Sequence, residues 1–199
     1  PAGRTARPET LPAMYAGTPS GSETANKTPK TYAVCVFFLP LPNMERTAIF
    51  PGSFDPFTRG HAALVDEALN LFDRVVIGIG NNTAKCGLLT VENRKRLIDD
   101  VYRHEPRVEA RIYTGLTGQF AEEVGACAII RGVRNTTDFE YERTMEATNH
   151  RIYPALTTVM LFTPAPVADI SSSTVREVLS FGRTVEEFLP QGIDINQYL

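Results

Sequence analysis

The sequence contains no tryptophan, only three histidines and only three cysteines. Cys35, Cys86 and Cys127 are far apart and odd in number, which argues against a disulfide framework or a zinc site. That usage favours a reducing compartment, and we expect the protein in the cytoplasm. Long apolar runs are also missing. Because a transmembrane helix needs about 20 consecutive apolar residues, we expect no contact with the membrane interior.

The sequence has no excess of positive charge. It contains 20 Lys and Arg residues and 23 Asp and Glu residues, which gives a formal net charge of −3 over 199 residues. A nucleic-acid partner is not expected, since binding it needs a basic surface. The apolar fraction of 43% is ordinary for a globular domain and is enough to fill a sizeable core.

Residues 1–43 differ in composition from the rest of the chain and hold seven of the fourteen prolines. We predict that they form a disordered or non-native N-terminal extension, and that the folded domain spans 44–199. The apolar run at 32–41 has an alternative interpretation as the core of a signal peptide. Against that, it begins about 30 residues into the chain and lacks an A-x-A cleavage site.

From Met44 onward, strand-like and helix-like apolar patterns alternate. Compact β-branched runs predict buried strands, and apolar residues spaced three and four apart predict helices. The predicted strands are 47–50, 74–79, 108–113, 127–130 and 157–162. The predicted helices are 61–72, 91–102 capped by Thr90, 117–124, 137–152, 171–181 and a last segment within 186–199. This alternation predicts an α/β fold: a Rossmann-like, doubly wound sheet of five parallel strands with helices on both faces.

In such a sheet, ligands bind beyond the carboxyl ends of the strands. The first of these segments is PGSFDPFTRGH, Pro51 to His61. Gly60 allows close backbone approach, and His61 opens a helix whose N-terminus favours anions. His61 therefore either hydrogen-bonds a phosphate or only caps its helix. We expect Asp55 to fix the loop.

Two cations follow later strands. Lys85 lies in the loop after the second predicted strand, and Arg131 follows the fourth. The planar guanidinium of Arg131 suits a phosphate group, but an ion pair with Asp138, Glu140 or Glu142 would explain it equally well.

A run of three serines, Ser171 to Ser173, begins the helix after the last predicted strand. Ordinary helix capping requires one hydroxyl. The surplus hydroxyls favour a phosphate site, although serine-rich helix starts are also common without one.

These segments together are similar to the bacterial phosphopantetheine adenylyltransferases, over about 46–189. The similarity lies in PGSFDPFTRGH, RGVR at 131–134, DFEYE at 138–142 and ISSSTVRE at 170–177. The T-x-G-H element, Thr58 to His61, marks the wider nucleotidyltransferase superfamily. The resemblance implies transfer of AMP from ATP to 4′-phosphopantetheine, giving 3′-dephospho-coenzyme A and pyrophosphate. It also implies Mg²⁺ carried on the ATP phosphates, without protein ligands.

The resemblance implies site residues too. The implied catalytic residues are His61, as a transition-state stabiliser, with Lys85 and Arg131. The implied acceptor-binding residues are Ser53, Lys85, Thr117 and Arg131. The implied ATP-binding residues are Ser53, Phe54, His61, Gly132, Val133, Arg134, Glu142, Val167, Ala168, Asp169, Ile170, Ser171, Ser172 and Ser173. Where the family usually has lysine and proline, Cys86 and Gly87 stand here.

A phosphomonoester is largely dianionic at neutral pH, so this chemistry needs charge neutralisation rather than a general base. The resemblance further implies a homohexamer built as a dimer of trimers, with coenzyme A as a feedback ligand. Two alternatives stay open. One is a catalytically idle nucleotide or coenzyme A sensor on the same fold, and the other is a nucleotidyltransferase for a different phosphorylated acceptor.

Overall fold

A computed structural model describes residues 45–81 and 87–199 of the chain. The predicted extension at 1–43 and the predicted phosphate ligand Lys85 lie outside the described residues. Within the described ranges, no helix is long and apolar enough to cross a membrane.

Strands and α-helices alternate along the described chain, as the apolar spacing predicts. The strands are β1 (Thr47–Gly52), β2 (Arg74–Gly80), β3 (Val108–Tyr113), β4 (Ala128–Val133) and β5 (Thr157–Phe162). The helices are α1 (Arg59–Leu69), α2 (Val91–Val101), α3 (Thr117–Glu123), α4 (Thr136–Ile152) and α5 (Ser172–Ser180). The predicted cap of α2 is confirmed, because the side chain of Thr90 accepts a hydrogen bond from the backbone of Asn93.

The helical segment predicted within 186–199 is not an α-helix. It contains two short 3₁₀ turns, Glu186–Phe188 and Ile195–Gln197. Pro190 lacks a backbone N–H, and Gly192 has a left-handed φ of +82°. Both residues interrupt helical hydrogen bonding in this segment.

All five strands are parallel, in the order β3-β2-β1-β4-β5. The chain leaves the central strand β1 in one direction to form β2 and β3, then returns to the other side for β4 and β5. This reversal creates a crevice between the carboxyl ends of β1 and β4, where doubly wound sheets bind ligands. The predicted fold class is confirmed.

Alternate residues of the central strands enter cores on opposite faces of the sheet. Phe50 and Ile77 pack in a core that includes residues of α1, α2 and α5. Ile49 and Val76 pack on the other face, in a core that includes residues of α3. Helices therefore cover both faces, which fixes the rim where the strands end.

Strand β4 is longer than predicted. The apolar run stops at Ile130, but parallel pairing with β5 continues through Arg131, opposite Met160, as far as Val133. The hydrogen bonds between strands join backbone groups and do not require apolar side chains. A strand can therefore extend beyond its apolar run, as β4 does. Arg131 consequently lies inside β4, in its carboxyl half, on a more rigid support than a loop.

Candidate active site

A cavity of about 370 Å³ opens where β1 and β4 end. Most of the residues predicted to bind ATP line it: Ser53, Phe54, His61, Gly132, Arg134, Glu142, Ile170, Ser171, Ser172 and Ser173. Arg131, predicted to bind the acceptor, lines it as well. Seven lining residues are not among the predicted site residues: Phe50, Pro51, Gly52, Gly60, Leu64, Thr163 and Arg176. The sheet topology thus brings segments separated by more than a hundred residues to one wall.

Four predicted ATP contacts are not brought to this wall. Val133 and Val167 have buried side chains and do not line the cavity. Ala168 and Asp169 do not line it either. Their contacts with ATP remain predictions.

A second cavity of about 210 Å³ adjoins the first. Thr117, predicted to bind the acceptor, lines it together with Asn149 and other residues of α4. Arg131 and Glu142 line both cavities. The side chains of these two residues therefore form part of the boundary between two adjacent spaces.

The ring of His61 is held by the turn that begins α1. Its Nδ1 lies 3.0 Å from the backbone nitrogen of Thr58, whose N–H donates to it. The Thr58 hydroxyl lies 3.0 Å from the same atom. Since Nδ1 is an acceptor, the neutral ring carries its proton on Nε2. His61 caps its helix through Nδ1 and still has the Nε2–H group free to donate a hydrogen bond. Helix capping and phosphate binding by this residue are therefore compatible.

Aromatic rings surround His61. Phe54 packs edge-on against it at 5.1 Å between ring centroids, and Phe57 lies 5.4 Å away. Phe54 adopts a left-handed backbone with φ of +48°, and its side chain is only 2% exposed. Phe54 thus supports the imidazole from within the fold, and a contact of its ring with ATP remains a prediction.

Burial lowers the pKa of His61 from 6.5 to about 4, and the positive charge of Arg134 acts in the same direction. We expect the ring to stay neutral from pH 8 to about pH 5 in the ligand-free protein. Between pH 6.5 and 4 the unfolded state binds the proton and the folded state does not, so this group reduces stability as pH falls through that window. Nitrogen-15 NMR of the imidazole, assigned with His61→Ala, measures the titration. A folded-state midpoint near 6.5 would contradict the expectation.

Gly60 allows α1 to approach the segment before α5. A Cβ at this position would lie 3.0 Å from the carbonyl oxygen of Ile170 and 3.3 Å from that of Val167. Backbone carbonyls cannot rotate away as a side chain can, so either α1 or the segment must shift.

We predict that Gly60→Ala lowers kcat by about 10- to 100-fold, because small misplacements of positioned groups are costly. The alanine itself favours helix by about 1 kcal/mol relative to glycine, so stability should fall little. Steady-state kinetics and a thermal melt separate these effects. An unchanged kcat would show that the close approach has no bearing on the reaction.

The guanidinium of Arg131 is fixed by three acceptors. Its Nε donates to Glu142 at 2.6 Å, its Nη2 donates to the other carboxylate oxygen at 2.5 Å, and its Nη1 donates to the carbonyl of Pro51 at 3.1 Å. Of the three carboxylates considered from sequence, Glu142 is the partner of Arg131. Asp138 instead pairs with Arg134 at 2.8 Å.

Asp55 fixes the first loop, as expected. Its two carboxylate oxygens accept hydrogen bonds from the backbone of Leu88 and Leu89, both at 2.8 Å. Arg94 of α2 lies 3.3 Å from the same carboxylate and donates to the carbonyls of Leu89 and Ser53. Both charged side chains are close to buried, at 8% and 11% exposure. This network ties the segment after β1 to the segment before α2.

Gly87 belongs to the same contact. A Cβ at this position would overlap the guanidinium of Arg94 and approach the Asp55 carboxylate. The glycine that departs from the family's usual proline therefore fits the close packing of Arg94.

The hydroxyls of Ser171 and Ser172, at the start of α5, make different hydrogen bonds. The hydroxyl of Ser171 caps the helix by accepting from the backbone of Thr174 at 3.1 Å. The hydroxyl of Ser172 donates to the carbonyl of Pro56 at 2.9 Å, which joins α5 to the first loop. Both also line the larger cavity. Capping accounts for only one of these hydroxyls, as the sequence indicated.

Arg176 is the functional candidate that sequence reasoning missed. It lines the larger cavity, donates to the carbonyl of Asp55 at 2.7 Å and contacts the Ser173 hydroxyl at 3.0 Å. The sequence did contain an indication of this role. Arg176 follows Ser173 by three residues, and that spacing places both side chains on one face of α5.

A known family and known proteins match this sequence and this fold. A sequence model described as cytidylyltransferase-like matches residues 49–178, so the chain belongs to this class of nucleotidyltransferases. Phosphopantetheine adenylyltransferase from Porphyromonas gingivalis is 46% identical over 148 residues, covering 74% of this chain and 96% of that protein. The Bacteroides thetaiotaomicron protein of the same name is 41% identical over 151 residues, covering 76% and 99%. The chain belongs to the phosphopantetheine adenylyltransferase family.

Solved structures show the same fold at lower identity. A bifunctional NMN adenylyltransferase/ADP ribose pyrophosphatase from Francisella tularensis matches with a TM-score of 0.59 and 15% identity. That match covers 76% of this chain and 47% of the other. A putative nicotinate-nucleotide adenylyltransferase from Vibrio parahaemolyticus gives 0.56 and 18%, covering 74% and 88%. These likenesses show the fold alone.

Proposed function

We propose that this chain transfers AMP from ATP to 4′-phosphopantetheine and releases 3′-dephospho-coenzyme A and pyrophosphate. One observation carries the proposal: His61 and Arg131 line the same cavity at the β1/β4 crevice, in a chain 40–46% identical to proteins named for this activity. Had the two side chains faced separate surfaces, two phosphorylated reactants could not have met between them.

The two cavities suggest where each reactant binds. ATP would occupy the larger cavity, with its phosphates toward His61, Arg134 and the N-terminus of α1, all of which favour anions. The acceptor would extend into the second cavity, past Thr117. Arg131 lines both spaces, so it would lie where the two phosphates meet.

In the proposed reaction, an oxygen of the acceptor phosphate attacks the α-phosphorus of ATP. A phosphorus–oxygen bond forms to the acceptor, the bond from the α-phosphorus to the bridging oxygen breaks, and pyrophosphate leaves. Because the attacking group is already anionic, the chain needs to supply positioning and positive potential rather than a base. The Nε2–H of His61 would donate to the α-phosphate as negative charge builds up on it. Asp55 is unsuited to act as a base, since both of its oxygens bind backbone N–H groups.

Mg²⁺ would enter as part of the substrate, bound to the ATP phosphates. Among the described lining residues of the larger cavity, the carboxylate is Glu142, and its oxygens already bind Arg131. A magnesium ion prefers several oxygen ligands and readily takes them from phosphates and water. Because Glu142 is already paired with Arg131, the lining of this cavity fits a metal–nucleotide complex better than a metal held by protein ligands alone.

The test is a pyrophosphate-release assay with MgATP and a panel of acceptors. We expect release only with 4′-phosphopantetheine, none with nicotinamide or nicotinate mononucleotide, and none after EDTA. Release with a different phosphorylated acceptor would support the other transferase. Nucleotide or coenzyme A binding without turnover would support the idle sensor.

We further propose a homohexamer, a dimer of trimers, working in the cytoplasm and inhibited by coenzyme A. Support for assembly comes from large apolar side chains exposed on α4 and at the end of β5, including Phe139, Ile152 and Phe162. Light scattering of the purified chain gives the subunit number, and the release assay with added coenzyme A tests inhibition.

A further inference from the structure

We infer that Glu142 is a positioning residue for the acceptor phosphate: it acts through Arg131 rather than by contacting ATP. The inference rests on the proposed function and refines it. The resemblance implies a contact between Glu142 and ATP, whereas the contacts of this side chain point to the acceptor.

Both oxygens of the Glu142 carboxylate bind Arg131. The residue is 7% exposed, and each of its oxygens accepts one N–H of the guanidinium, at 2.5 and 2.6 Å. A two-point contact of this kind fixes the plane of the guanidinium as well as its position. Glu142 comes from α4 and Arg131 from β4, so two rigid elements determine the geometry.

The contacts leave Arg131 with a defined binding capacity. A guanidinium has five N–H groups. Two bind Glu142 and one binds the carbonyl of Pro51, so one N–H on Nη1 and one on Nη2 remain. The side chain of Arg131 is 28% exposed and lines both cavities. The remaining N–H groups are therefore available where the proposed acceptor phosphate would lie.

Charge and geometry give opposite expectations for this pair. The negative charge of Glu142 offsets the positive charge of Arg131, so removing it raises the local positive potential and should tighten phosphate binding. Removing it also releases the guanidinium from its fixed plane and should weaken binding. A positioning residue is one for which the second effect dominates.

The experiment is isothermal titration of the full chain with 4′-phosphopantetheine and, separately, with α,β-methylene-ATP. We expect Glu142→Gln to weaken phosphopantetheine binding at least ~10-fold, as loss of charge-assisted hydrogen bonds does. Binding of the ATP analogue should change less than ~2-fold. Glu140→Gln, an exposed carboxylate on the same helix, is the matched control and should change neither.

A second comparison isolates the role of Arg131. In an Arg131→Met background, adding Glu142→Gln should leave phosphopantetheine affinity unchanged, because Glu142 then has nothing to position. If Glu142→Gln does not fold, Glu142→Asp, which keeps the charge but is one methylene shorter, takes its place with the same expected direction.

Three results would overturn the inference: weaker binding of the ATP analogue with phosphopantetheine unaffected, tighter phosphopantetheine binding, or a further loss in the Arg131→Met background. Failure of the proposed function gives a different result. In that case the wild-type chain would show no phosphopantetheine-dependent release of pyrophosphate from ATP.

Discussion

Replacing His61 with alanine is expected to lower kcat for pyrophosphate release at least ~100-fold. The Nδ1 atom of His61 accepts the backbone N–H of Thr58, which leaves Nε2–H as the free donor of a ring that lines the cavity. Loss of one preorganised donor to a developing negative charge typically costs ~3–4 kcal/mol in the transition state. Steady-state kinetics at saturating MgATP and phosphopantetheine measure the effect.

His104→Ala is the matched control, because His104 is exposed and does not line either cavity. Its kcat should equal that of the wild type. Thermal melts of both variants show whether the fold is retained. Equal kcat values for His61→Ala and the wild type would remove His61 from the mechanism.

The second large effect is on stability. Asp55→Ala should lower the free energy of unfolding by ~3–5 kcal/mol, because it leaves a nearly buried arginine, Arg94, without its counter-charge. The same change removes the acceptor for the backbone N–H groups of Leu88 and Leu89. Urea denaturation followed by circular dichroism measures the loss.

The control for this prediction is a surface pair. Arg46 and Asp73 form an ion pair in which both side chains are about half exposed, at 48% and 49%. Asp73→Ala should therefore lower the free energy of unfolding far less than Asp55→Ala does. Comparable losses in the two variants would mean that the Asp55 network is no more important than an ordinary surface contact.

Local patterns predicted the sheet because each strand and helix is encoded within its own segment. The composition of RVVIGI and of the residues beside it is enough to predict a buried strand. The observed β2 begins where that run begins, at Arg74. The same reasoning placed His61 and Ser171 near helix starts, and the order of strands then brought both to the cavity.

Partners across the fold could not be predicted in this way. Arg131 had three candidate carboxylates on the following helix, and only the packing of α4 against β4 selects Glu142. The pair of Asp55 and Arg94 joins residues 39 positions apart, and nothing in the spacing of charges on α2 distinguishes Arg94 from its basic neighbours. Such contacts depend on how elements dock, which local periodicity does not specify.

The most direct measurement is a crystal structure of this chain with 3′-dephospho-coenzyme A. The account predicts that the adenylate lies in the larger cavity and the pantetheine arm in the second, beside Thr117. The diphosphate should be within hydrogen-bonding distance of both His61 Nε2 and the Arg131 guanidinium. A diphosphate that touches neither side chain, or a nucleotide bound away from the β1/β4 crevice, would contradict the account.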